Sequence, residues 1–195
     1  MNDDTKFARA HQAIGKYFSE FSELERELGE AVKVVLHLED HDAADLVVDL
    51  LRYPRIKASL VKEAAQIATK KKDGREISTK WKARADKTLG KILNHNDACR
   101  DHLAHSHLEP QEDGSVKVTR GSKGQRKSQN WNLQTKIDEV RRLTEALREI
   151  RIELSKLEVD VGKIHWVRTH EWHPRLYLEP PYDQTQTPLP LREEG

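Results

Sequence analysis

The spacing of apolar residues near the start of the chain constrains its fold more than any other feature. The apolar residues of this segment recur every seven positions, at Phe7, Ile14, Phe21, Leu28 and Val35. Others fall between them at three- or four-residue steps, which is the period of one face of an α-helix. We therefore expect a long amphipathic helix over about 6–38. Its heptad spacing also allows a coiled-coil-like contact with another helix.

Further helical segments follow along the chain. Asp42 is expected to cap a short helix, which Pro54 ends before opening the next one. Ser78 or Thr79 is expected to cap a fourth helix, and a last long helix is expected over about 132–161. The predicted fold class is all-α, an antiparallel helical bundle.

Between the fourth helix and the last one the pattern changes. The short apolar segments 108–109 and 116–119 flank Asp113-Gly114, a dipeptide that is typical of tight turns between antiparallel strands. A small hairpin insertion is therefore expected here. The polar and basic stretch 121–130 is expected to be a loop.

The chain is expected to divide into a helical domain, 1–163, and a C-terminal tail, 164–195. The tail loses the helical period and is rich in proline and aromatic residues, whose rings belong to Trp166, Trp172, Tyr177 and Tyr182. We expect these rings to pack on the bundle, with base stacking as the alternative. The end of the tail is expected to be disordered.

Composition and charge narrow the class of protein. The single cysteine, Cys99, excludes an intrachain disulfide and favours a reducing compartment. No signal peptide is recognisable, and no apolar stretch approaches the ~20 residues that a membrane span needs. The net charge of +1 means that any nucleic-acid surface must come from local clustering. The expectation is a cytoplasmic protein with no membrane partner.

The residues best suited to chemistry lie in the run Arg100-Asp101-His102-Leu103-Ala104-His105. Arginine carries a permanent charge and a fork of donors that suits a phosphate, and histidine exchanges protons near neutral pH. Together they suit phosphodiester cleavage without a metal. Residues five apart on an ideal helix point about 140° from each other. Convergence of Arg100 and His105 therefore requires the helix to end or distort near His105, or a second subunit to complete the site.

This run resembles the motif of the HEPN family (higher eukaryote and prokaryote nucleotide-binding domains), in which four to six residues separate an arginine from a histidine and a polar residue follows the arginine. The helical layout over about 6–161 supports the resemblance. It implies a HEPN-like bundle and a metal-independent RNA endonuclease, often a toxin or an effector of bacterial defence against phage. It also implies a homodimer with two motifs facing one cleft, and no metal or other cofactor.

The resemblance also assigns roles to three residues. Arg100 would bind the scissile phosphate, and His105 would act as general base on the ribose 2′-hydroxyl or as acid to the leaving oxygen. Asp101 would orient one of these two side chains. An antitoxin or regulatory protein is an expected partner. Some toxins of the family carry a tyrosine two places after the histidine, where an antitoxin modifies them, but this chain has His107, so that regulation is not expected.

Two basic segments flank the motif in sequence. We expect them to line an RNA groove, and their charged residues are Lys70, Lys71, Lys72, Lys117, Arg120, Lys123, Arg126 and Lys127. The alternative is that both segments are solvated loops.

Other interpretations of the motif stay open at this point. Arg100 and His105 would also suit a solvated helix end, where cations favour the helix dipole. A non-catalytic HEPN-like module for RNA binding or assembly is the alternative function, and a structural protein that associates through its first helix is a third. His95, Cys99 and His102 share a helix face and suggest zinc, although thiolate zinc sites usually use several cysteines.

Overall fold

The protein is described by a computed structural model over residues 3–38, 40–111, 115–120 and 127–164. Its helices are α1 (Asp3–Val35), α2 (His41–Leu50), α3 (Pro54–Ile67), α4 (Thr79–His95), α5 (Asp101–His105) and α6 (Leu133–Leu154). A π-helical stretch, here called the π segment (Asn96–Arg100), joins α4 to α5. The strands are β1 (His107–Pro110), β2 (Val116–Arg120) and β3 (Lys127–Trp131). The described chain is thus mostly helical, with a small antiparallel sheet.

The core lies between α1, α3, α4 and α6, which pack against one another through their apolar faces. The largest fully buried side chains are Tyr17, Phe21, Leu24, Leu28, Leu60, Leu89, Ile92, Leu133, Ile137, Leu147, Ile150 and Leu154. All of them belong to these four helices, so the burial of apolar side chains stabilises each of the four. The long amphipathic first helix that the sequence predicts is confirmed.

The directions of the helices agree only in part with an antiparallel bundle. Hydrogen bonds and an ion pair between α3 and α4 join residues in opposite order along the two helices, so these helices are antiparallel. In contrast, Glu20 of α1 pairs with Arg141, and Glu27 pairs with Arg151 further along α6. α1 and α6 therefore run in the same direction. Only short connections force neighbouring helices to be antiparallel, and these two helices are far apart in sequence.

A buried carboxylate joins α1 to α6. Glu27 is only 1% exposed, and Arg151 Nε donates a hydrogen bond to its Oε1. Arg148 Nε lies 3.5 Å from its Oε2. Burying a carboxylate costs several kcal/mol unless the charge is paired, so this contact depends on both arginines.

The loop between α1 and α2 differs from the prediction. α1 ends at Val35 rather than near residue 38, because His37 adopts a left-handed backbone (φ 53°), a conformation that commonly ends helices. Asp40 Oδ1 accepts a hydrogen bond from Ala43 N at 2.9 Å, so Asp40 caps α2 and the prediction of Asp42 is wrong. Asp42 instead lies in the first turn of α2, where an acidic residue favours the helix dipole.

α2 packs closely on α1 at a glycine. A Cβ atom placed on Gly29 would lie 2.9 Å from Val48 Cγ1, which is closer than such atoms normally approach. The missing side chain therefore allows the two helices to approach each other.

The other helix starts agree with the sequence. Pro54 is the first residue of α3, and Ser78 occupies the N-cap position of α4 without a side-chain hydrogen bond. The side chain of Asn132 caps α6 by accepting from Thr135 N. α6 ends at Leu154, however, and not near residue 161 as predicted.

The sheet contains one strand more than predicted. The hairpin of β1 and β2 is confirmed, with Leu108 opposite Val118. β3 pairs with the other edge of β2 and places Trp131 opposite Val116, although this stretch was expected to be a loop. Its residues Lys-Ser-Gln-Asn have little strand preference, so the strand depends on pairing with β2.

The tail after residue 164, with its aromatic residues, lies outside the described residues. The domain boundary and the role of the tail therefore stay predictions. Within the described ranges, no helix combines the length and the apolar character that a membrane span requires.

Candidate active site

A cleft of about 440 Å³ opens where the junction of α2 and α3 faces the π segment and α5. Its first side, here called the motif wall, consists of Asn96, Asp97, Arg100, Asp101 and His105. The opposite side, here called the arginine wall, consists of Arg52, Tyr53, Pro54, Arg55 and Ile56. All three residues to which the sequence assigns catalytic roles thus line the same cleft.

The π segment and the end of α5 bound the motif residues that line the cleft. The π segment interrupts the regular helix and ends at Arg100, and each of its turns contains more residues than an α-helical turn. α5 then ends at His105, since Ser106 is extended (φ −115°, ψ 158°). The helix thus ends at His105, one of the alternatives that the sequence predicts, whereas the π distortion ends at Arg100 and does not lie between Arg100 and His105. Single π turns within α-helices are frequently found at functional sites.

The charged side chains of the motif contact each other. Arg100 Nη1 donates a hydrogen bond to Asp101 Oδ1 at 3.0 Å. The side chain of Arg100 is 35% exposed and that of Asp101 is 39% exposed, so water reaches this pair. This bond uses one of the five N–H donors of the guanidinium. His105 is exposed, and within the described part of the chain it makes no hydrogen bond or ion pair.

The arginine wall adds two positive charges to the cleft. Arg52 and Arg55 are both exposed, and Arg55 Nη1 lies 3.8 Å from Asp97 Oδ2 across the cleft. Asn96 is buried and its Nδ2 donates to the other oxygen of Asp97 at 3.1 Å. Sequence reasoning missed both arginines. Their only local signal is a basic cluster around Pro54, and nothing in the sequence connects that cluster to the motif.

A buried polar network supports the motif wall from behind. Tyr17 Oη lies 3.0 Å from Nε2 of His95, the last residue of α4, and the two rings stack. His95 Nδ1 lies 3.4 Å from Glu139 Oε2, at an angle outside the hydrogen-bond range. Burial lowers the pKa of His95 and raises the pKa of Tyr17 far above its usual value, so both are neutral at pH 7.

These contacts fix the start of the π segment. Because the nearby carboxylate of Glu139 favours a proton on Nδ1 of His95, Nε2 is left to accept a hydrogen bond from Tyr17. His95 immediately precedes the π segment, while Tyr17 belongs to α1 and Glu139 to α6. The hydrogen bond from Tyr17 therefore anchors the motif wall to α1, and Glu139 places a carboxylate of α6 beside the same ring.

Glu25 of α1 is a further ionisable group under the influence of the motif. Burial raises the pKa of its carboxyl, although the charges of Arg100 and Lys57 act in the opposite direction. Glu25 does not line the cleft. The charge of Arg100 therefore acts on an ionisable group of α1 that lies outside the cleft.

The lysines of the basic turn 70–72 do not line the cleft. Lys70 Nζ is 3.3 Å from Glu158 Oε2, and Lys71 Nζ is 3.4 Å from Glu153 Oε2. Lys72 lines a second cavity of about 330 Å³ beside the residues that follow α6. None of these three lysines lines the cleft, so an RNA contact through them would lie outside it.

The second predicted basic segment is described only in part. Lys117 Nζ lies 2.9 Å from Glu109 Oε2. Arg120 and Lys127 are paired residues of β2 and β3, and their side chains lie outside the described residues, as do Lys123 and Arg126 entirely. RNA binding by this segment therefore stays a prediction.

The three residues that suggest a zinc site, His95, Cys99 and His102, are not grouped around a common point. His95 and Cys99 are buried, and burial raises the pKa of the Cys99 thiol. The ring of His102 lies 6.1 Å from that of Trp131. Across the described ranges, no three or more His, Cys, Asp or Glu side chains are grouped to hold one metal ion.

Comparisons with known proteins give no family for this chain. No family model, no curated protein and no solved structure matches it. The case for a function therefore depends on the motif and on the geometry of the cleft.

Proposed function

We propose that this chain is a metal-independent RNA endonuclease of the HEPN type, a bacterial defence or toxin effector that acts in the cytoplasm. The observation that supports the proposal best is that Arg100, Asp101 and His105 line one cleft opposite Arg52 and Arg55. Such a cleft offers positive charge to a phosphate and an imidazole to its neighbouring hydroxyl.

In this proposal Arg100 binds the scissile phosphate. Its hydrogen bond to Asp101 restricts the guanidinium and leaves its other donors for the phosphate oxygens. Negative charge grows on those oxygens as the reaction proceeds. A positioned donor at such a charge contributes roughly 10²–10³ in rate.

His105 carries out proton transfer. As a general base it takes the proton of the 2′-hydroxyl, whose oxygen then attacks phosphorus. The bond from phosphorus to the 5′-oxygen breaks, and that oxygen receives a proton. The products are a 2′,3′-cyclic phosphate and a 5′-hydroxyl, and DNA is not cleaved because it lacks the attacking hydroxyl. Transfer of this kind typically contributes about 10²–10⁴ in rate.

The reaction needs an acid as well as a base. In the described residues His105 is the one histidine that lines the cleft. We propose that a second copy of the chain faces the first and supplies the other imidazole. A regulatory protein or antitoxin that covers the motif wall would block the cleft of such a homodimer.

The test is cleavage of RNA by the purified protein in the presence of EDTA. His105→Ala is expected to lower the rate at least about 10²-fold, because proton transfer is lost. His107→Ala is the matched control, since His107 is exposed and does not line the cleft, and it should keep the wild-type rate. Wild-type rates in His105→Ala would contradict the proposal.

A non-catalytic RNA-binding or assembly module is the second candidate. It is favoured by the absence of any hydrogen bond to His105 within the described residues, because a general base is usually oriented by a partner. On this alternative the wild type binds RNA without cutting it, and His105→Ala leaves the affinity unchanged.

A further inference from the structure

One aromatic side chain of the arginine wall has no part in the chemistry proposed above. Tyr53 is 55% exposed and lines the cleft opposite the motif wall. The other large hydrophobic side chains that are exposed in the described ranges, Leu46, Leu50 and Ile152, do not line it. An exposed aromatic ring inside a charged cleft is suited to contact a flat ligand.

The backbone holds Tyr53 in a fixed position. Because Pro54 follows, Tyr53 is restricted to extended conformations, and it has φ −99° and ψ 127°. Its carbonyl accepts hydrogen bonds from Ile56 N at 2.9 Å and Lys57 N at 3.3 Å. The backbone of Tyr53 therefore loses little conformational freedom when a ligand binds to its ring.

The neighbours of Tyr53 are suited to a nucleotide chain. Arg52 precedes Tyr53 in the arginine wall and Arg55 follows it, while Arg100 lines the opposite wall. Guanidinium groups bind phosphates, while an aromatic face stacks on any nucleobase. The cleft volume of about 440 Å³ is in the range of pockets that hold one small ligand.

We propose that Tyr53 stacks on the base of a nucleotide next to the scissile phosphate, with Arg52 contacting the adjoining phosphate. This inference rests on the proposed ribonuclease function and specifies its substrate class. A base within a duplex is already stacked on both faces, so the base on Tyr53 must come from a single strand, a loop or a bulge. The protein therefore recognises single-stranded RNA, and cuts loops in preference to stems.

The experiment measures binding separately from cleavage. Each variant is made in the His105→Ala background and titrated with a short single-stranded RNA that carries 2-aminopurine, whose fluorescence falls when it stacks. Tyr53→Ala is expected to weaken binding about 5- to 150-fold and to abolish the fluorescence change. Tyr53→Phe should retain both, because the ring is kept. Leu46→Ala, an exposed apolar residue outside the cleft, is the matched control.

Binding and quenching that are equal in Tyr53→Ala and in its background protein would overturn the inference, and so would the absence of RNA binding by the background protein. Light scattering adds a separate outcome. If Tyr53→Ala converts a dimer of the background protein into monomers, Tyr53 belongs to a protein interface and the inference is wrong.

Cleavage by the protein with an intact His105 tests the underlying function separately. A protein that cuts RNA but binds equally well without the Tyr53 ring loses only the stacking proposal. A protein that stacks RNA on Tyr53 but never cuts it loses the ribonuclease proposal. Equal cutting of a loop and of a fully paired stem would overturn the single-strand preference.

Discussion

Replacing Tyr17 by Phe removes one buried hydroxyl group and leaves the ring in place. That hydroxyl lies 3.0 Å from His95 Nε2, in the network that fixes the start of the π segment. The substitution creates no large cavity, because the phenyl ring still stacks on His95 and Phe21. Its effect therefore comes mainly from leaving a buried ring nitrogen without a partner.

The size of the effect follows from the burial of both groups. Leaving a buried polar atom unpaired costs about 1–3 kcal/mol in the free energy of unfolding. For a chain of this length, each kcal/mol lowers Tm by roughly 2–4 °C, so the expected loss is about 2–12 °C. The slope of the unfolding free energy against urea should not change, since the fold is retained.

Urea denaturation followed by circular dichroism measures this loss. Ser22→Ala is the control, because it removes an exposed hydroxyl from the same helix and should change stability by no more than about 0.5 kcal/mol. If Tyr17→Phe changed the free energy of unfolding as little as Ser22→Ala, the buried hydrogen bond would contribute no stability. The proposed anchoring of the motif wall would then be wrong.

Three further predictions concern stability. Burial lowers the pKa of His95, so this residue binds a proton more readily in the unfolded chain, and the free energy of unfolding should fall as the pH drops below about 6.5. Urea denaturation at several pH values should show a smaller fall in His95→Gln. An equal fall in that variant would show that His95 is not the group responsible. Arg151→Met removes one of two arginines from the buried carboxylate of α1 and leaves Arg148 beside it, so it should lower the free energy of unfolding in urea by about 1–3 kcal/mol. Arg84→Met breaks an exposed pair and should lower it by less than about 1 kcal/mol, and equal losses would show that the burial of Glu27 does not matter. Gly29→Ala should lower the free energy of unfolding by about 1–3 kcal/mol, because the new Cβ atom would meet Val48 of α2. The Cβ atom of Gly15→Ala would meet open space, so that variant should raise the free energy of unfolding by about 0.5–1 kcal/mol. A higher Tm in Gly29→Ala would disprove the close packing of α1 and α2.

The helices could be predicted from the sequence where one apolar face dominates. Phe21, Leu28 and Val35 of the heptad series are buried in α1, and Pro54 starts α3 as expected. Helix ends were less predictable, since they depend on backbone conformations such as that of His37. β3 could not be predicted, because its polar residues form a strand only through pairing with β2.

Likewise, one part of the candidate site could be predicted from the sequence and another part could not. Arg100 and His105 were found because they belong to one local motif. Arg52, Tyr53 and Arg55 were missed because only the packing of the α2–α3 junction brings them opposite that motif. The π segment was not predicted either, because the spacing of apolar residues does not indicate it.

We propose above that the cleft cuts RNA by attack of the 2′-hydroxyl without a metal. The most direct test is mass spectrometry of the product ends, after RNA is incubated in EDTA with the wild type or with His105→Ala. We expect a 2′,3′-cyclic phosphate and a 5′-hydroxyl with the wild type, and intact RNA with the variant. Intact RNA with the wild type, or the same products at the same rate with both proteins, would contradict this proposal.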